Sequence, residues 1–226
     1  MKVELLAYTQ DADRICAAAG RSCYSERPAH ELLGEDDFEK KLGKIVGMGH
    51  HSVIEHATFT FSVGGVSRAL THQLVRHRIA SFSQQSQRYV PIREPTYVIP
   101  ERIKADRDAL KVYEDTMKVI WDAYSKLEET IPAEDARYLL PNGCTTNITI
   151  TMNARELLHF FSLRCCERAQ WEIREMAERM AELCKEVSPT IFRDAGPPCV
   201  RGPCPEGKLS CGHPRRPDKS LNKEST

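Results

Sequence analysis

The stretch from 101 to 130 places Leu110, Tyr113, Met117, Ile120, Tyr124 and Leu127 at alternating steps of three and four. That spacing puts all of them on one face of a single helix. So long an apolar stripe must be covered, and the rest of the chain has to supply the cover. A second helical pattern starts at Asn153 and runs to Val187, with a break or bend expected near Ser162. Ile173, Met176, Met180, Leu183 and Val187 line its second half, and Asn153 followed by Glu156 is a capping-box-like start.

Shorter elements fill the gaps. "KVELLAY" predicts a strand. Asp11 or Asp13 caps a helix running to Gly20, and Phe38, Leu42, Ile45 and Val46 mark another that Gly47 and Gly49 stop. "HATFTFSV" alternates, with Ala57, Phe59, Phe61 and Val63 on one face; "TTNITITM" alternates too, so both read as half-buried strands. Gly64-Gly65 is expected to turn the chain, and Ser67 to cap a helix through Arg78. "TYVIP" is a further strand candidate, and Pro132 opens a short helix that Pro141 ends.

On that reading Arg76, His77 and Arg78 form the last turn of a helix. Cations are favourable there by ~0.3–1 kcal/mol each, because the exposed carbonyls carry partial negative charge. "IASFSQQSQRYV" then leaves as a loop that becomes a strand near Tyr89. Arg76, Arg78 and Arg88 lie within thirteen residues with no acid between them. Arginine offers a fixed fork of donors for phosphate or carboxylate. Gln84, Gln85 and Gln87 carry a donor and an acceptor each, which suits an amide-like base edge. Ser81, Ser83 and Ser86 can reach phosphate or carbonyl oxygens. Two readings stay open: a pocket for an anionic, base-bearing ligand, or a solvated loop whose arginines pair with distant acids. Arg155 and His159 share a helix face. Arg164 lies near the apolar face of Leu157 and Phe161, so it needs a partner. That partner is Glu167, Glu172 or a ligand, and Arg164 points about half a turn away from Arg155.

The totals limit the alternatives. Lys+Arg and Asp+Glu both count 32 in 226 residues, which disfavours a general nucleic-acid or membrane-surface binder. No apolar run approaches the ~18 residues of a membrane span. "MKVELLAYTQDADR" meets acids too early for a secretory signal, so the expectation is a cytoplasmic protein with its nine cysteines as thiols. Beyond 197 the chain turns Pro/Gly/Cys-rich, then charged, and is expected to be a flexible tail over 198–226. Cys199, Cys204, Cys211 and His213 could hold zinc there, although the spacing is not a standard knuckle. "HHSVIEH" at 50–56 fits no zinc pattern well. A nucleic-acid module resting helix 67–78 on a phosphate backbone and a Cys/His metalloprotein are the competing classes.

Several of these motifs resemble one family. "RHRIASFSQQS" matches the RHR-x7-S signature of the flavin-dependent thymidylate synthases, the ThyX family: Arg76, His77, Arg78, seven residues, then Ser86. "HHSVIEH", "EDARYLLP", "TMNARELLHFFSLR" and "AQWEI" follow the family's order over roughly residues 1–197. The resemblance implies an α+β fold: a compact single domain of long helices with a small mixed or antiparallel sheet, assembled as a homotetramer with sites shared between subunits. It implies dUMP, FAD and 5,10-methylenetetrahydrofolate as ligands, NADPH as reductant, and no nucleic acid, membrane or metal. By position it assigns Ser52, Arg76, His77, Arg78, Gln84, Asn153, Arg155 and His159 to FAD. It assigns Gln73, Leu74, Val75, Arg76, Gln84, Gln85, Ser86, Gln87, Arg88, Arg137 and Arg164 to dUMP. Arg164 is the expected catalytic residue, facing the uracil ring, and Arg88 is expected on phosphate. Some members carry Glu at the position of Gln84, and others carry Asn at that of His159. No cysteine nucleophile is needed, and Cys165 and Cys166 read as small residues packed in a helix.

Overall fold

Alternation decides the sheet. The computed structural model describes residues 1–92 and 94–215. Strands β1 (Lys2–Tyr8), β2 (Thr58–Ser67), β3 (Ala80–Gln84) and β4 (Thr145–Asn153) form one antiparallel sheet in the order β1-β2-β4-β3. Along β2, Phe59, Phe61 and Val63 are fully buried while the residues between them face outward. Gly64-Gly65 does not turn the chain, as expected from sequence, but stays within β2. Gly65 absorbs the local bend at φ 68°, a conformation that costs a side-chain-bearing residue strain.

The helices are α1 (Ala12–Ser22), α2 (Ala29–Leu32), α3 (Phe38–Gly47), α4 (Arg68–Leu74), α5 (Glu101–Lys104), α6 (Arg107–Glu128), α7 (Ala133–Ala136), α8 (Ala154–Arg164), α9 (Trp171–Val187) and α10 (Pro189–Phe192), with 3₁₀ turns between some of them. Local caps explain where several begin. The Ser67 hydroxyl accepts from the Leu70 amide at 3.0 Å, and Asn153 Oδ1 accepts from the Glu156 amide at 2.9 Å. The expected single helix over 101–130 is two helices, because Asp106 takes extended dihedrals and caps the Asp108 and Ala109 amides. The break expected near Ser162 falls later, at 165–170, where Gln170 caps α9 through Glu172 and Ile173. Asp11 precedes α1 at φ 50° without a side-chain cap. Asp13 caps a different helix, its carboxylate accepting from the Thr190 and Ile191 amides.

Within the domain the chain forms two compact units. One comprises Met1–Lys2, Val63–Arg76 and Phe82–Thr149. Its core is Met117, Trp121 and Cys144, flanked by Ile92, Tyr97, Tyr113, Ile120 and Leu140. "TYVIP" contributes only a bridge between Tyr97 and Cys144, not a strand. The other comprises Val3–Ser62, His77–Ser81 and the chain from Ile150 on. Its core stacks Phe59, Phe161 and Phe192 edge to face, with Phe59 and Phe192 centroids 5.2 Å apart. Each such ring contributes about 1.5–3 kcal/mol through burial. Part of the expected tail belongs here: 3₁₀ turns at Pro198–Val200 and Gly207–Leu209, and Arg215 paired with Glu167 and Glu178. Residues 216–226 of that expected tail lie outside the described residues.

Candidate active site

The RHR triplet is not a helix end. α4 stops at Leu74, and a turn at Val75–Arg76 follows. Helix-dipole stabilisation of the triplet therefore falls away, since that effect is confined to the last turn. Arg76 and Arg78 are exposed, and His77 between them is 5 % exposed. The segment expected as a loop makes β3, and Tyr89, where a strand was expected to begin, sits in a turn.

His77 is the centre of a buried chain of hydrogen bonds. Its Nδ1 is 3.1 Å from Glu156 Oε1, and Arg164 Nε donates to its Nε2 at 3.1 Å. A guanidinium has no acceptor, so Nε2 carries the lone pair and the proton sits on Nδ1, facing the carboxylate. Burial lowers the His77 pKa below its ordinary 6.5; the Glu156 bond opposes that, and the Arg164 charge reinforces it. The imidazole is neutral. Arg164 has thus found neither Glu167 nor Glu172, the acids expected from sequence. Glu167 pairs with Arg174 and Arg215 instead.

Beside this chain lies a cavity of about 850 Å³, within the ~300–1,000 Å³ typical of small-ligand sites. Arg155 and His159 line it together, as their shared helix face predicts, and the capping Asn153 joins them, with Val46, Ile79, Leu158 and Ile191 as apolar wall. Arg155 Nη1 meets Glu55 at 2.5 Å in an exposed pair. Ser52 is exposed on the 3₁₀ helix His51–His56, whose His51 and Glu55 reach the cavity. The set fits a flavin dinucleotide: apolar walls suit a ring face, and the amide, guanidinium and imidazole suit carbonyl and anionic oxygens.

The other predicted residues sit in the first unit. Gln84 Nε2 donates to Thr71 at 3.0 Å and to Thr146 at 3.4 Å. Gln85 Oε1 accepts from Asn147, Ser86 Oγ from the Arg88 amide, and Gln87 reaches the Cys144 sulfur. Gln73 bonds the Ala69 carbonyl. Leu74 is fully buried, so only its backbone can face a ligand, whereas Val75 is exposed. Arg88 pairs with the Glu134 carboxylate, and Arg137 donates to the Glu134 carbonyl. Arg68, which the sequence reading missed, donates to the Gln85 carbonyl at 3.3 Å. Its Nε is buried with no partner among the described residues, and the Arg137 charge bears on it. Glu156 was legible only as a cap.

Cys165 is packed in the core, and burial pushes its thiol up to about 12, so it holds no thiolate for a nucleophilic role. Among the described residues no group of three or more His, Cys, Asp or Glu is placed to hold a metal ion, which bears on both "HHSVIEH" and the Cys199–His213 set. Among them, too, no helix is long and apolar enough to cross a membrane.

A cavity whose wall mixes apolar side chains with Arg155, Asn153, His159 and Glu156, the last bonded to a buried imidazole, on an α+β scaffold, is the kind of site that enzymes of small ligands use. The profile of the family described as "Thymidylate synthase complementing protein" matches residues 4–190. The flavin-dependent thymidylate synthase of Geobacter sulfurreducens is 54 % identical over 218 residues, covering 94 % of each chain. That of Clostridium tetani is 45 % identical, covering 94 % of this chain and 93 % of its own. That of Pyrococcus furiosus is 48 % identical, over 92 % and 91 %. The chain belongs to the flavin-dependent thymidylate synthase family.

Proposed function

We propose that this chain makes dTMP by reductive methylation of dUMP, taking the carbon from 5,10-methylenetetrahydrofolate and releasing tetrahydrofolate. FAD, re-reduced by NADPH, supplies the reducing hydride when bound. The observation that carries this reading is the neutral, buried His77 bonded to both Arg164 and Glu156, with Glu156 in the wall of the cavity of Asn153, Arg155 and His159, in a chain of this family.

The protein's part is binding, orientation and charge. Ser52, Arg76, His77, Arg78, Gln84, Asn153, Arg155 and His159 hold FAD. Gln73–Arg76, Gln84–Arg88 and Arg137 hold dUMP, with Arg88 exchanging Glu134 for phosphate. Arg164 faces the uracil ring and stabilises negative charge at N3 and the carbonyl, so the base is polarised by a fixed donor in a site shielded from water. Among the described residues only its Nε is engaged, by His77, so the Nη groups remain free for that contact.

The catalytic domain in this proposal is residues 1–197, with 198–226 as an appended tail, and the enzyme works in the cytoplasm. It assembles as a homotetramer whose subunits share sites. Tyr89 and Tyr138 are 77 % and 84 % exposed, and Val112 and Val119 stand two turns apart on the outer face of α6, each 67 % exposed. Exposed apolar side chains of this kind are available to an interface between subunits. Tritium release from [5-³H]dUMP tests the reaction. A yellow protein that releases tritium only with folate donor and reductant is expected; a colourless protein that releases none overturns the proposal.

A further inference from the structure

We infer that Glu156 is a positioning residue for Arg164, acting through His77: its carboxylate holds the imidazole proton on Nδ1, which leaves Nε2 as the acceptor that fixes the guanidinium. The inference rests on the role proposed for Arg164. Three observations support it. Glu156 occupies the third position of α8, its amide bonded to Asn153 Oδ1. In a capping box that side chain would turn back to the amide of the capping residue; here it goes to His77. Both groups are buried, Glu156 at 7 % and His77 at 5 % exposure, and His77 is not part of the cavity wall that Glu156 lines. Finally, the direction of every bond in the chain is forced. Arg164 can only donate, so Nε2 accepts, and the one N–H of a neutral imidazole then lies on Nδ1, toward Glu156 Oε1.

His77 is faced by Glu156, Arg164, His159 at 5.9 Å between ring centroids and Phe160 at 4.9 Å. Of these only Glu156 accepts a hydrogen bond from its Nδ1. Without the carboxylate, an Nε2–H tautomer becomes available. It would set two donors against each other at 3.1 Å and displace Arg164. Buried carboxylates that fix the tautomer and orientation of a neighbouring histidine are large contributors to turnover elsewhere in enzymology.

The test uses flavin-loaded enzyme labelled with [¹⁵N]histidine, with the His77→Gln spectrum locating the signal. The parent is expected to display an Nδ1–H, Nε2-unprotonated imidazole. Glu156→Leu should lose that pattern and lower kcat about 10²-fold, the size of a misplaced catalytic group, while flavin is retained. Glu156→Gln, which keeps an acceptor, should keep the pattern and stay within about tenfold of the parent. An Nε2–H or doubly protonated imidazole in the parent overturns the inference. So does Glu156→Leu turning over within twofold of the parent, or Glu156→Gln failing as badly as Leu with the tautomer intact. If the Leu variant does not fold, the parent spectrum and the Gln variant still decide. A parent with the expected imidazole signature and no tritium release would sink the proposed reaction and leave the geometry standing.

Discussion

The two units hold their candidate-site side chains in different ways. In the first, Gln84, Gln85 and Gln87 are half-buried and bond neutral partners: Thr71, Thr146, Asn147 and the Cys144 sulfur. Its ion pair nearest these glutamines, Arg88 with Glu134, is about half exposed on both sides. In the second, a guanidinium, an imidazole and a carboxylate are joined in a line, with the last two almost wholly buried. Neutral bonds near water are cheap to exchange, because water or a ligand can replace either partner. A buried charged group stripped of its partner has no such substitute. The first region is therefore suited to exchanging its partners, as the proposed dUMP contact requires, and the second to staying fixed.

That contrast can be broken at several points. Arg164→Ala should have the largest effect: a loss of turnover on the order of 10²–10³-fold, as for removal of a fixed electrostatic donor, with flavin still bound. Tritium release and the visible spectrum read both, and unchanged turnover would remove Arg164 from the chemistry. Gln84→Ala should cost about 1–2 kcal/mol in urea unfolding, because two neutral bonds of ~0.5–1.5 kcal/mol each are lost. Glu134→Ala should change stability by less than ~1 kcal/mol, since the pair is exposed. It should also tighten dUMP binding by freeing Arg88, as calorimetry would detect. A larger stability loss than that of Gln84→Ala would invert the comparison.

The mildest handle is pH. The folded state binds a proton at His77 less readily than the unfolded chain, whose value is the ordinary 6.5. The His77 contribution to stability is therefore complete above 6.5 and is lost as pH falls from there through the lowered folded value. Turnover that needs the neutral imidazole should persist below pH 6.5 and decline only at more acidic pH. A turnover midpoint at or above 6.5 would show that the burial of His77 does not govern its charge.

Much of the architecture was legible because it is local. β1, β2, β4, α3 and α9 follow from period and alternation, and the Ser67 and Asn153 caps from residue type. The misreadings share a cause as well. Gly64-Gly65 looks like a turn and "IASFSQ" like a loop, because glycine and serine are turn formers in isolation. Pairing along the sheet overrode both, with Gln85 donating its amide to the Asn147 carbonyl. α4 ends before the RHR triplet, although no glycine or proline marks the stop. The family signature drew attention to His77 and Arg164 separately, and gave no hint that they bond each other.

By itself the sequence determined which segments coil and which extend, where several helices begin, and which family's motifs it carries. These depend on side-chain spacing within a few residues, and geometry of that range is written directly in the order of the chain. Only the tertiary structure decided which carboxylate serves which partner. Asp13 caps a helix 177 residues away, and Glu156 orients a histidine 79 residues before it. A buried acid takes whatever donor the completed packing brings within 3 Å or so, and no local pattern records which one that will be.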